Sequence, residues 1–213
     1  MKNGILLLCV LSLCAACTAT SKAPSQDGNA VVSRAKNPEA AWAERQRVFA
    51  QMQRWQLNGR VGLQLRDQSW SFGLDWTQQG NNSYAMNINN PLTGGLMATV
   101  LDTGSQVTLK AADGKVYQDT DAERLLARQL KMSLPLKNLQ YWARGVPSPG
   151  VEVDAVKLDA HGRPTQLQQA GWVIAYPAYQ GEGSQALPDK ILLEQAAERV
   201  KAKLVAKQWK TGY

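Results

Sequence analysis

Residues 55–88 read WQLNGRVGLQLRDQSWSFGLDWTQQGNNSYAMNI. Trp55, Leu57, Gly59, Val61, Leu63 and Leu65 alternate with Gln56, Asn58, Arg60, Gly62, Gln64 and Arg66, the period of two that a strand with one dry face requires. Asp67-Gln68 reads as a turn, Trp70, Phe72, Leu74 and Trp76 repeat the alternation, and Gln79-Gly80-Asn81-Asn82 turns again before Tyr84, Met86 and Ile88. Such short connections join antiparallel strands, because a parallel crossover needs about a dozen residues or more.

Further strands are expected at 96–101, 106–111 and 115–118, with turns at Asp102-Thr103-Gly104 and Asp113-Gly114. Thr120-Asp121-Ala122-Glu123 has capping-box spacing and opens a helix whose Leu125, Leu126 and Leu130 share a face. Pro135 redirects the chain, and Leu136, Leu139 and Trp142 predict a short helix stopped by Gly145 and Pro147. Strands resume at 151–158, 166–169, 172–179, 190–194 and 199–209. Upstream of the first strand, Trp42, Phe49, Met52 and Trp55 recur at helical spacing, with Asn37 as cap and Pro38 in the first turn, which predicts a helix over 38–54. No composition break divides the body, read as one domain over 38–213.

The chain has 213 residues and a formal charge of +7, and all three of its cysteines, Cys9, Cys14 and Cys17, lie within the first seventeen positions. The body therefore holds no internal disulfide and no thiolate site. Lys2, the apolar run Ile5 to Leu13 and the small pair Ala15-Ala16 read as a secretory leader over 1–16, too short to span a bilayer. Cys17 after that pair is the expected lipidation site, with an ordinary secretory leader and an incidental cysteine as the alternative. The Leu13-to-Cys17 end resembles the bacterial lipobox, with Leu13 one place early; in such lipoproteins an aspartate after the cysteine resembles an inner-membrane retention signal, so the resemblance with Thr18 in that place implies the outer membrane. Residues 17–37, poor in large apolar side chains, form the lipidated start and a flexible tether.

Chemistry is sparse. The only histidine, His161, sits in the turn-forming run Asp159-Ala160-His161-Gly162-Arg163-Pro164 and reads as a solvated turn residue. Asp119, Asp121 and Glu123 are explained by a helix N-terminus. No phosphate loop, nucleophile elbow or dinucleotide fingerprint occurs, and no metal or cofactor is expected. The basic residues are spread along alternating strand positions, which together with the leader points to anionic lipid rather than nucleic acid, or simply to solvated outer faces. Seven Trp and six Tyr against two Phe place most ring content on side chains with a polar handle. Trp70, Phe72, Trp76, Tyr84, Met86 and Ile88 project to one face, either a filled core under the helices or the wall of an apolar cavity for acyl chains.

After the acylated start come, in order over about residues 42–209, Leu57-Asn58-Gly59-Arg60, Trp76-Thr77-Gln78-Gln79-Gly80, Asn90-Pro91-Leu92 followed by Thr93-Gly94-Gly95, Pro135-Leu136, Trp142-Ala143-Arg144-Gly145 and Gly171-Trp172 before Tyr176. In their order and spacing the chain resembles the LolB family. The resemblance implies a mainly β, α+β fold: an open antiparallel β half-barrel with a hydrophobic cavity covered by α-helices. It implies an outer-membrane lipoprotein facing the periplasm, a monomer that accepts acylated lipoprotein cargo from the carrier LolA and inserts it into outer-membrane lipid without bond chemistry. The cavity would be walled by the six residues named above with Trp142 and Trp172. Leu92, beside Pro91, would protrude and assist transfer, unless it folds onto the core; Thr93 stands where the family's loop has glycine. The rival readings are a structural outer-membrane lipoprotein with a filled core and a periplasmic hydrolase.

Overall fold

The computed structural model describes residues 37–131 and 134–212; the expected leader, Cys17 and the tether up to residue 36 lie outside them. Asn37 has extended backbone, and its Oδ1 accepts the Ala40 N–H at 3.0 Å, capping helix α1 (Pro38–Gln51). Pro38 occupies the first turn, where a missing N–H costs nothing. The helix stops three residues short of the expected end. The Arg144 guanidinium takes the Phe49 and Met52 carbonyls at 2.6 and 2.7 Å, and Trp55 starts a strand instead of extending the helical face.

The strands are β1 (Trp55–Leu65), β2 (Gln68–Gln78), β3 (Tyr84–Asn89), β4 (Leu96–Asp102), β5 (Val107–Ala111), β6 (Val116–Asp119), β7 (Val153–Leu158), β8 (Pro164–Gln169), β9 (Trp172–Gln180), β10 (Leu187–Gln195) and β11 (Val200–Thr211). They form a single 11-stranded sheet in the order β6-β5-β4-β3-β2-β1-β11-β10-β9-β8-β7, antiparallel throughout. The first hairpin turns at Arg66-Asp67, one residue earlier than expected, with Arg66 at φ 54°. A bulge between Asn58 and Gly59 interrupts the β1·β11 register; a Cβ at Gly59 would stand 2.6 Å from the Val205 carbonyl oxygen.

The sheet is open, because its edges β6 and β7 do not pair. One connection joins those edges, and it carries helices α2 (Ala122–Leu130) and α3 (Leu136–Trp142). Leu125 and Leu126 of α2, and Leu136, Leu139 and Trp142 of α3, are buried against inward residues of the sheet such as Leu57, Val61, Phe72, Met86, Ile174 and Leu204. Each such side chain contributes about 1.5–3 kcal/mol. Alternation along β1, β2 and β3 holds as the sequence predicts. The cap of α2 is Asp121, whose carboxylate accepts the Arg124 N–H at 3.0 Å, not Thr120 of the expected box.

Candidate functional site

The apolar interior is built from the even-numbered residues of β2 and β3. Trp76 pairs with Met86 and Leu74 with Ile88 across the two strands, so their side chains stand in register on the inward face. With Val61, Phe72, Leu193, Ala202 and Leu204 they enclose a void of about 30 Å³, roofed by Leu126, Leu134, Leu136 and Leu139. No polar side chain lines it. The volume has room for about two waters at most; no acyl chain fits while the helices are seated. The expected cavity is thus present as a lining and closed as a space.

Four of the expected wall residues, Phe72, Trp76, Met86 and Ile88, meet at this void. The other four are elsewhere. Trp70, half-buried, lines a separate groove of about 510 Å³ with Gly62, Leu192, Val173 and Lys203. Tyr84 packs on Trp76 at 5.9 Å between ring centroids but borders a polar cleft of about 520 Å³. Burial and the neighbouring Asp102 carboxylate raise its phenol well above the ordinary tyrosine value. Trp142 and Trp172 are buried 6.0 Å apart in the other half of the core. The Trp142 indole N–H donates to Gln169 Oε1 at 2.8 Å, and the Tyr176 hydroxyl donates to the Trp142 carbonyl at 3.0 Å. The spacing of inward residues gave their face but not how the helices divide that face.

The roof is tied together at its polar end. Lys137 Nζ meets Asp121 Oδ2 at 3.0 Å and the Lys137 N–H donates to Glu123 Oε1 at 3.1 Å, joining the N-termini of α2 and α3. Asp119, at the end of β6, receives the guanidinium groups of Arg124 and Arg128 of α2. The Arg124 bond and the Thr120 and Asp121 N–H groups hold its carboxyl well below the usual carboxylate range.

The loop between β3 and β4 presents Leu92 at 92% exposure. Asn90 organises it: its Oδ1 accepts the Leu92 and Thr93 N–H groups, and its backbone N–H donates to the Gly95 carbonyl. Thr93 adds a bond that glycine lacks, its hydroxyl accepting the Gly95 N–H at 3.2 Å, while the positive φ falls on Gly94. Arg60 Nη2 donates to the Pro91 carbonyl at 3.2 Å, pinning the loop to β1. Leu96 and Met97, also exposed, widen the apolar tip around Leu92. Leu92 does not fold onto the core.

A latch invisible in the sequence pattern holds the frame. Arg45 of α1 is fully buried, and its guanidinium donates to the carbonyls of Gly145, Ser184, Ala186 and Arg144 at 2.6–3.0 Å. It stacks 4.4 Å from the Phe49 ring. Arg144, equally buried, spans Gln140, Phe49 and Met52 carbonyls. Among the described residues neither pairs with a carboxylate; burial pushes each guanidinium down to about 10, so both stay charged at neutral pH. Gly145, at φ +69°, lets the chain pass: a Cβ there would stand 2.9 Å from Arg45 Nη2.

His161 occupies the expected turn, its N–H donating to Asp159 Oδ1 at 2.8 Å, but the side chain is half-buried and its Nδ1 has no partner among the described residues. The turn packs against α1, which shields it from the solvent expected there. Among the described residues no group of His, Cys, Asp and Glu is placed to hold a metal, and no helix is long and apolar enough to cross a membrane.

Residues 53–209 match the family described as Outer membrane lipoprotein LolB. The outer-membrane lipoprotein LolB of Nitrosococcus oceani is 35% identical over 176 residues, covering 83% of this chain and 86% of its own length. That of Chromohalobacter salexigens is 34% identical over 207 residues, covering 97% and 88%. In fold the chain is similar to a LolA superfamily protein from Nitrosomonas europaea, with TM-score 0.51 at 11% identity over 84% of this chain and 95% of that one. It is also similar to a DUF1329 family protein from Desulfovibrio piger, with TM-score 0.53 at 8% identity over 82% and 91%. Sequence match, open sheet and helical roof agree, and the chain belongs to the LolB family of outer-membrane lipoproteins.

Proposed function

We propose that this protein, anchored in the outer membrane through Cys17, accepts acylated lipoproteins from the periplasmic carrier LolA and passes them into the membrane. The observation that carries the reading is an interior lined by apolar side chains alone and roofed by two short helices. Acyl chains take the place of the roof. Lifting Leu125, Leu126, Leu136 and Leu139 off the sheet costs about 6–12 kcal/mol. About 8–15 methylenes, at about 0.8 kcal/mol each, offset that. Trp142, held by Gln169 and Tyr176, stays as the fixed end of α3. Phe72, Trp76, Met86 and Ile88 receive the chains, and Trp70 joins the wall as the interior widens. Leu92 enters the lipid surface, where its burial is worth at most about 1.5–3 kcal/mol: enough to bias contact, too little to anchor. The transfer runs downhill into lipid as a monomer, with no bond made or broken in the cargo.

The test is transfer of a radiolabelled lipoprotein from purified LolA to the full chain carrying Cys17→Ala, which removes the expected acylation. Cargo recovered with the chain supports the reading; cargo retained on the carrier refutes it. The small void favours one rival, a structural outer-membrane lipoprotein with a filled core. That rival requires that a fluorescent fatty-acid probe leave the chain unbound at every concentration below its micelle limit.

A further inference from the structure

The parts of the molecule lie in a definite order along β3. At its Tyr84 end is the polar cleft of about 520 Å³; Met86 and Ile88, in the middle, face the apolar void; beyond Asn89 comes the loop that exposes Leu92. The strand spans about 17 Å. Leu136, 4% exposed, is the shared wall of cleft and void. The cleft is of ordinary ligand-site size, and its walls offer donors and acceptors together: the side-chain amides of Asn82 and Asn138, the Tyr141 phenol and the Asp102 carboxylate. None of the hydrogen bonds among the described residues engages the side chains of Asn82, Asn138 or Tyr141. Leu136 is the residue the two linings share, with Tyr84 beside it packed on Trp76, so a ligand spanning both must be polar at one end and hydrocarbon at the other.

We infer that the cleft is the seat of the cargo's polar head, the glyceryl ester and first peptide residues of an acylated cysteine, and that its hydrocarbon tails run along β3 with their methyl ends toward Leu92. The inference rests on the acyl-chain reading above and adds a site and a polarity to it. An acylated cysteine carries its parts in the same sequence as the protein does. Beside the charged Asp102, Glu123 and Lys137 of the same lining, the amide and phenol groups suit ester and peptide carbonyls, which need donors but no counter-charge. Tyr84, buried and protonated between the cleft and Trp76, marks the boundary where hydrogen-bonding groups give way to apolar ones. With this polarity the tails meet the membrane first and the head leaves last.

The experiment compares two probes on the full chain with Cys17→Ala: a synthetic tripalmitoyl-glyceryl-cysteinyl peptide, and a pyrene-labelled alkane that has tails' chemistry but no head. Asn82→Leu with Asn138→Leu, both at positions outside the apolar core, is expected to weaken the lipopeptide about tenfold, the loss of one or two net hydrogen bonds, and to leave the alkane within about twofold. Equal weakening of both probes, or of neither, overturns the head site and leaves the acyl-chain reading standing. Failure of both probes to bind the unsubstituted chain overturns that reading and the present one with it. Photo-crosslinking gives the polarity without any substitution. A photoreactive group on the peptide is expected to mark the Asn82 and Asn138 segments, and one at the methyl end the strand residues around Phe72 and the Leu92 loop; the reverse pattern overturns the assignment.

Discussion

Arg45→Met removes the charge of the buried latch while keeping most of its volume. Four carbonyls, those of Gly145, Ser184, Ala186 and Arg144, lose their donors. Hydrogen bonds to a charged group are worth about 1.5–3 kcal/mol each, so the gross loss is about 6–12 kcal/mol. Against that, the variant no longer desolvates a guanidinium, which returns several kcal/mol. The net expected destabilisation is about 3–5 kcal/mol, the range found when one partner of a buried charged network is removed, and a large part of a total stability of about 5–15 kcal/mol. With a urea slope near 2 kcal/mol per molar, the unfolding midpoint should fall by about 1.5–2.5 M. Equilibrium urea unfolding followed by tryptophan fluorescence reads it directly. Because the Arg144 side chain holds the other end of the same helix through the Phe49 and Met52 carbonyls, Arg45→Met and Arg144→Met should be coupled, each costing less in the presence of the other. A midpoint shift below about 0.5 M would refute the reasoning, since it would mean the carbonyls find other donors and the guanidinium does not hold α1 to the frame.

Leu92→Glu should fold and accept cargo normally, because the side chain touches solvent, yet slow deposition into lipid vesicles; an unchanged deposition rate removes the leucine from the transfer step. Phe72→Ala enlarges the apolar void: the expected cost is about 3–5 kcal/mol in urea unfolding, together with uptake of xenon or benzene into the interior, and a variant that binds neither has collapsed instead. The Asp121 carboxyl is lowered from 3.8, first by the Arg124 N–H it caps and then by Lys137. A depressed folded-state value gives stability that is complete above 3.8 and lost as pH falls below it. Asp121→Asn, which keeps a capping oxygen, should therefore flatten the fall of thermal midpoint below pH 4 relative to the unsubstituted chain, and an identical acid profile would show that the Asp121 charge contributes nothing.

The hairpins were legible because each strand buries one face: Leu57, Val61 and Leu63, or Phe72, Leu74 and Trp76, leave a period of two that nothing else produces. Helix ends were less so. The end of α1 depends on Arg144, some ninety residues away, reaching the Phe49 and Met52 carbonyls, and no local signal carries that. Arg45 falls between Trp42 and Phe49 on the apolar face of the helix, where a charge has no partner in the local sequence, and only the convergence of carbonyls from two distant loops explains it as core. The wall of the interior was legible as a face but not as a volume: Phe72 and Trp76 share it with Trp142 and Trp172, and which of them meet a void depends on where Leu126 and Leu139 come to rest. Leu92 was legible by its setting of Asn90, Pro91 and glycines, and Thr93 proves compatible with that setting because its hydroxyl substitutes a bond for conformational freedom.

The pairing of β1 with β11 at the middle of the sheet has a kinetic corollary. Val61 meets Leu204 and Leu63 meets Ala202, so the central seam closes a loop that takes in nearly the whole body. Each half, β1 to β6 and β7 to β11, can zip locally as a chain of hairpins, but the two sides join only when the last strand has been synthesised. Contacts of such sequence separation form slowly, and until they do, the apolar edge of β1 is bare and open to pairing with another chain. On the proposed function, a protein that shelters other proteins' greasy parts thus spends its own infancy in need of the same service.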